Sequence, residues 1–324
     1  MCVTKCFARF LKIGKLREDL DEENLKGFIV SNRKLALTAA LAAATLALTG
    51  CSLGGGTATP TNTSGITIDQ VAVDLLPAAI KERGTLVIGA GNDYAPNEYA
   101  DDAGNPAGWG IEVAQAIAAK LGLTAQLEVA DFDKIIPSVL AGSYDFGEYS
   151  FTDNAEREQQ VDFINYYNAG IQWISAAGKT VDPNNACGLK VAVYATSYQD
   201  TDEIPAKSDA CVAAGKPAIE VLKFDGQEGA TNSVALGQAD ATSTDSPIAF
   251  AAIKASNGKL QAAGESFEVA PYGLPIAKNS EVTPAIQKAL QSLIDDGTYL
   301  AILKKYGVES GAVTTATINA GANG

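Results

Sequence analysis

Histidine is absent from all 324 residues, methionine occurs once and tryptophan twice. The missing imidazole removes Ser-His-Asp and Cys-His catalytic arrangements and the commonest ligands of zinc in one step. Positive charge is scarce as well: 24 Lys and Arg face 38 Asp and Glu, for a formal net charge of −14. A nucleic-acid partner needs a basic footprint, so none is expected. Phosphate-binding loops are incomplete. The stretch "AAGKT" (176–180) ends like one, but the position that needs the first glycine is Trp173, and "GAGNDY" lacks the third glycine of a dinucleotide fingerprint. Asp101 and Asp102 are adjacent carboxylates, yet they fall in the turn "DDAGNP", where solvated loop residues are the ordinary outcome. The chain therefore reads as a binder rather than an enzyme, with no cofactor and no metal.

What is present begins with a leader. The apolar run "LALTAALAAATLAL" (35–48) follows the basic "SNRK" and is short for a membrane span but suited to the hydrophobic region of a signal peptide. It closes on "LTGC", which resembles a bacterial lipobox whose cysteine, here Cys51, is acylated and becomes the mature N-terminus. Residues 1–50 then read as signal peptide and 51–66 as the lipidated cysteine and a flexible tether, placing the protein on the extracytoplasmic face of the cell membrane by a palmitate-type anchor. The alternative is an ordinary cleaved signal with an incidental cysteine. Residues 1–29 carry the acidic "REDLDEEN", unlike the start of a leader, so translation is expected to begin near Val30. The leader holds more Lys and Arg than Asp and Glu, which makes the exported portion more acidic than the whole. Cys187 and Cys211 lie outside leader and anchor, and an even pair in an exported chain implies a disulfide, with two buried free thiols as the alternative.

From residue 66 onward strand and helix patterns alternate. "TLVIGA" (85–90) reads as a buried strand, and "IEVAQAIAAKLGL" puts Ile111, Ala114, Ile117, Ala118 and Leu121 on one helical face. "AQLEVA" (125–130) and "YDFGEY" (144–149) flank a short helix, "DKIIPSVLAG". The pattern recurs through "LKVAVY" (189–194), "AIEVLKF" (218–224), a helix near "NSVALGQ" and "ADATST" (239–244). Alternation of this kind predicts an α/β fold with a mainly parallel sheet in each half. Short strands near "EVAPYGLPIA" precede one long final helix, "PAIQKALQSLIDDGTYLAILKKYG", and the polar tail 309–324 reads as disordered.

One stretch concentrates anion-friendly groups. "SFTDNAER" (150–157) follows a predicted strand, and Asp153 with Glu156 three residues on reads as a capping box at a helix start. Capping leaves Arg157 unexplained. Together with "DYAPNEY" (93–99), "DFDKIIPSVLAGSYDFGEYSFTDNAER", "VDFINYY" and the ending "QSLIDDGTYLAILKKYG", this resembles the bacterial solute-binding proteins of family 3, which capture polar amino acids for ABC importers. The resemblance runs from about 68 to 308 and is most specific over 131–167.

That resemblance implies a two-lobed, periplasmic-binding-protein-like type II fold with a two-strand hinge. Lobe 1 would comprise 67–170 and 269–308, and lobe 2 residues 171–268. It implies an amino-acid ligand, the permease and ATPase of an ABC importer as partners, and a monomer. A free amino acid carries a carboxylate and an ammonium close together. Arg157 offers a bidentate fork to the first, aided by Ser150 and Thr152, at positions that similar proteins use in this way. Asp245, at the end of "STD", matches the position that takes the ammonium, with a helix N-cap as its alternative role. Tyr94 and Phe132 match the aromatic walls. In "ATSYQD" the usual glycine-rich anion loop is replaced, so Ser197 and Gln199 become the candidate contacts. Asn154 stands where threonine is usual, and Trp109 replaces a usual Phe in a packing role. Gly91 stands where relatives that bind basic amino acids have an acid, which removes the most direct support for a Lys or Arg ligand. The rival readings are a ligand-sensing lipoprotein for a membrane receptor and a dehydratase-like enzyme on the same fold.

Overall fold

A computed structural model describes residues 65–321; Cys51, the leader and the tether as far as residue 64 lie outside it. In chain order the elements are α1 (Gln70–Asp74), α2 (Ala78–Arg83), β1 (Thr85–Ala90), β2 (Asp93–Tyr94), β3 (Glu98–Ala100), β4 (Pro106–Ala107), α3 (Trp109–Lys120), β5 (Thr124–Val129), α4 (Phe132–Leu140), β6 (Phe146–Glu148) and β7 (Phe151–Thr152). The long strand β8 (Val161–Ala176) follows, then β9 (Lys190–Tyr194), α5 (Ile204–Ala213), β10 (Glu220–Phe224), α6 (Gln227–Ala235), β11 (Ala241–Asp245) and α7 (Ser246–Ala255). The long strand β12 (Leu260–Ala277) and helices α8 (Thr283–Asp295) and α9 (Thr298–Tyr306) complete the order.

Two parallel groups of strands answer the predicted alternation. The first is the sheet β5-β1-β6, and the second is β10-β9-β11. Strands β8 and β12 pair antiparallel along most of their length and join the second group through β11, which makes a six-stranded mixed sheet. The fold is α/β and two-lobed, with β8 and β12 passing between the lobes. Their ladder shifts register between Ala263 and Ala270, opposite Ala169 to Trp173, which is where the two strands change sheet environment.

Helix α3 buries the five predicted face residues, and Val113, Ala116 and Ala119 besides. Its alanine content explains this: small side chains let the helix be covered on one side by β1 and β5 and on the other by α8 and α9. Trp109, at its start, is fully buried and donates from its indole to Asn97 Oδ1 at 2.6 Å, in keeping with a packing role. Cys187 and Cys211 are joined in a disulfide. Closing a loop of that length contributes roughly 3 kcal/mol in the chain-entropy account.

Four local expectations change. The final helix is two helices, because Gly297 takes a left-handed conformation between α8 and α9. The short strands near "EVAPYGLPIA" are one 18-residue strand, β12. No α-helix starts at Asp153: a single 3₁₀ turn, Arg157–Gln159, leads directly into β8, and the Asp153 carboxylate accepts from Asn165 Nδ2 and the Gly321 amide instead. The polar tail is ordered as far as Gly321. β11 covers β8 only over 171–175, and the open edge at 161–168 would leave backbone groups unpaired. The tail fills it. Thr317 accepts from Asn165, Asn319 exchanges bonds with Phe163, and Gln287 and Gln291 of α8 hold Ala316.

Truncation after Gly311 removes this strap and is expected to lower the free energy of unfolding by about 3 kcal/mol, from several net hydrogen bonds of about 0.5–1.5 kcal/mol each. A denaturant titration checks it; an unchanged midpoint would mean that the strap adds nothing.

Candidate functional site

Tyr94, Phe132, Ser150, Thr152, Arg157, Ser197, Gln199 and Asp245, dispersed over more than 150 positions of sequence, line one cavity, together with Tyr149, Tyr194 and Tyr198. Each arrives on a defined element. Tyr94 lies on β2, Phe132 opens α4, and Ser150 and Thr152 bracket β7. Arg157 begins the 3₁₀ turn, Gln199 begins a π-helical turn (Gln199–Glu203) ahead of α5, and Asp245 ends β11. A π turn re-aims side chains locally and is common at functional sites. The space open to the centre of a water molecule is about 10 Å³, room for roughly one water.

Arg157 lies over the rings of Phe132 and Phe151, at 5.5 and 5.6 Å. Phe132 and Phe151 stack on each other at 4.3 Å, so the guanidinium faces a fixed aromatic surface. Nη1 donates to the carbonyl of Thr152 at 2.9 Å and Nη2 to that of Thr196 at 3.2 Å, which ties the turn after β7 to the loop after β9. Its backbone amide is held by Asn154 Oδ1 at 2.9 Å, so the asparagine in place of threonine fixes the turn. Burial pulls the guanidinium below its ordinary value, and the carboxylates of Asp202 and Asp245 oppose that pull.

Asp245 is not a side-chain cap for α7. Its carboxylate points into the cavity and accepts from Tyr272 at 2.6 Å, Gln199 at 2.7 Å and Tyr94 at 2.9 Å. Burial raises its carboxyl above the ordinary range, and these three donors with Arg157 hold it back. The loop "ATSYQD" replaces glycine by conformation: Thr196 takes φ +63°, and its amide donates to Asp200 Oδ2 at 2.9 Å while Lys223 pairs with Asp200 Oδ1 at 2.8 Å. Ser150 also has a positive φ. Its hydroxyl accepts from Asn97 and donates to Glu98, each at 2.8 Å, so the strip rests on a buried polar network.

Several residues around the site were not anticipated: Tyr194, Tyr272 and Asp93. Tyr149 donates to Asp93 and lies 3.1 Å from the Tyr194 hydroxyl. The Tyr149 ring also occupies the space a Cβ at Gly91 would need, so any side chain there would have to displace that ring. Tyr194 could be placed at a strand end from the sequence, but Tyr272 lies within β12, and which side chains meet depends on tertiary packing. Among the described residues no cluster of His, Cys, Asp and Glu could hold a metal ion, and no helix is long and apolar enough to cross a membrane.

A cation and a carboxylate facing one interlobe cavity of aromatic walls define a two-lobed solute-binding protein. The sequence belongs to the bacterial extracellular solute-binding proteins, family 3, whose profile matches residues 86–309. It is 35% identical over 294 residues to the arginine-binding protein ArgT of Corynebacterium glutamicum, covering 90% of this chain and 97% of that one. The L-cystine-binding protein TcyJ of Escherichia coli K12 is 27% identical over 251 residues, 75% of this chain and 90% of its own. Among solved structures, an ancestral arginine-binding protein bound to arginine superposes with a TM-score of 0.63 at 33% identity, covering 69% of this chain and 98% of that one.

Buried acids near the site give a pH signature. Glu98 and Glu148 are both fully buried; burial raises Glu148 to about 7, and burial with the Glu148 charge raises Glu98 well above its ordinary value. Glu203, between Trp173 and Ser243, is likewise pushed up to about 7 by burial. The folded chain thus keeps protons that the unfolded chain loses above its ordinary value of 4.5. Stability therefore falls as pH rises from about 4.5 to about 7. Thermal unfolding across pH 5 to 8, roughly that window and just above it, is expected to show a falling Tm, less steep in Glu148→Gln; a Tm that rises over the range would contradict the assignment.

Proposed function

We propose that the chain is an extracytoplasmic lipoprotein, anchored through Cys51, that captures an amino acid with a cationic side chain and delivers it to the permease and ATPase of an ABC importer. Lobe 1 (67–170 and 269–308) and lobe 2 (171–268) close on the ligand about β8 and β12, as a monomer. The observation that carries this reading is the convergence of Arg157 and Asp245, from opposite sides of the cleft, on one aromatic cavity. Arg157, with Ser150 and Thr152, takes the α-carboxylate; Asp245, with Gln199 and Ser197 beside it, takes the ammonium; Tyr94 and Phe132 wall the side chain. The cavity is too small for an amino acid while the lobes are closed, so entry requires them to separate.

The arginine-binding proteins among its relatives support a cationic ligand. The glycine at position 91 removes the usual acid; Asp93, two residues on, accepts from the Tyr149 hydroxyl outside the cavity lining and is the nearest carboxylate this reading can call on. A catalytic role is not part of the reading, because relatives of this family that it resembles are binding proteins.

Calorimetry with L-arginine, L-lysine, L-glutamine and L-cystine tests this. L-Arginine is expected to bind and to raise Tm, by about 2.7 kcal/mol of stability at a hundredfold excess over Kd. Arg157→Ala and Asp245→Asn are each expected to lose about 2–5 kcal/mol of binding. Heat from none of these amino acids would overturn the reading.

A further inference from the structure

Tyr272 does not line the cavity, yet its hydroxyl makes the shortest of the three bonds to Asp245, at 2.6 Å. Tyr272 lies on β12 opposite Tyr167 of β8, whereas Asp245 ends β11 opposite Ile171 of β8. The side chain thus reaches across β8 and spans the stretch where the β8–β12 ladder changes register. Its ring is fixed from below, packed against Tyr167 at 5.7 Å and Tyr166 at 6.3 Å, and it is fully buried. The other donors come from β2 and from the turn before α5, so three separate elements orient one carboxylate.

We propose that Tyr272 is a positioning residue for amino-acid recognition: it ties the carboxylate that receives the ligand ammonium to the β12 side of the crossover, so that lobe closure and the aim of Asp245 are set together. The role rests on the reading of Asp245 as the ammonium acceptor. A hydrogen bond to a carboxylate is strong and directional, and without it the group is left to Gln199, on its own side of the cleft, and Tyr94, on the other. The titratable and charged groups that face Asp245 are Tyr94 on β2, Tyr272 on β12 and Arg157 on the 3₁₀ turn. Burial holds both tyrosines neutral, so Asp245, whose carboxyl burial pushes up, is the member of this group that gains a proton on acidification. Loss of the Tyr272 hydroxyl removes a donor that favours the ionised form.

Tyr272→Phe keeps the packed ring and removes only the hydroxyl. Two measurements follow: the Asp245 carboxyl titration by NMR in the amino-acid-free protein, and calorimetry with L-arginine at several pH values. The expected result is a raised Asp245 titration midpoint and binding weakened about tenfold at neutral pH, about the loss of one net hydrogen bond, with a larger loss in mild acid. An unchanged midpoint, or an affinity that tracks the wild type across the pH range, overturns the proposal, as does a loss of equal size at every pH, which marks a merely structural role. Should L-arginine fail with the wild type, whichever of L-lysine, L-glutamine and L-cystine binds replaces it. A wild type that takes no amino acid brings down the ligand reading and this role together, whereas a binding wild type matched by Tyr272→Phe brings down this role alone.

Discussion

Strands β8 and β12 run antiparallel over 161–176 and 260–277, and the rest of the molecule is arranged around that ladder. At one end they carry β11 and through it β9 and β10; at the other they carry β7 and the C-terminal strap. Backbone pairing of this length is stiff along the strands, but register shifts between Ala263 and Ala270 and again between Tyr272 and Gly273 interrupt it. Arg157, on the turn that leads into β8, and Asp245, at the end of β11, reach one cavity from the elements this ladder joins.

The chemistry of the site follows from burying charge in an acidic chain. A buried carboxylate is tolerable only if donors surround it, and Asp245 has three. A buried guanidinium likewise spends its donors on the carbonyls of Thr152 and Thr196 and rests on aromatic faces. Both groups are satisfied by the protein while the cleft is shut. In the proposed binding mode a ligand must offer bonds at least as good, which is a demand that a carboxylate and an ammonium on one carbon can meet and that most neutral solutes cannot. Beneath the Ser150 strip, Glu98 and Glu148 meet the same constraint differently, by retaining protons.

Much of this was legible in the residue order. Periodicity located the parallel strands and the α3 face, since apolar spacing reflects which side of an element is covered. The motif "SFTDNAER" and the carboxylate after "ST" named the cation and the carboxylate that the fold brings to one cavity, and the cysteine pair was legible from count and export context. What misled was local chemistry with a longer-range competitor. Asp153 has the pattern of a cap, but its oxygens go to Asn165 and to the Gly321 amide. The tail has the composition of a disordered segment, yet the open edge of β8 offers its backbone partners that water would otherwise supply.

The primary structure thus decided the inventory: which elements form, which cation and which carboxylate are available, and that no imidazole chemistry can occur. Packing in three dimensions decided the arrangement. Tyr272, Tyr194 and Asp93 acquire their roles only from strands and loops far apart in the chain, and Gly91 loses its side-chain space to the ring of Tyr149. The reason is range. Propensity and periodicity act over a few residues, whereas the direction of a hydroxyl toward a carboxylate depends on the register of two strands that meet only once the chain has folded.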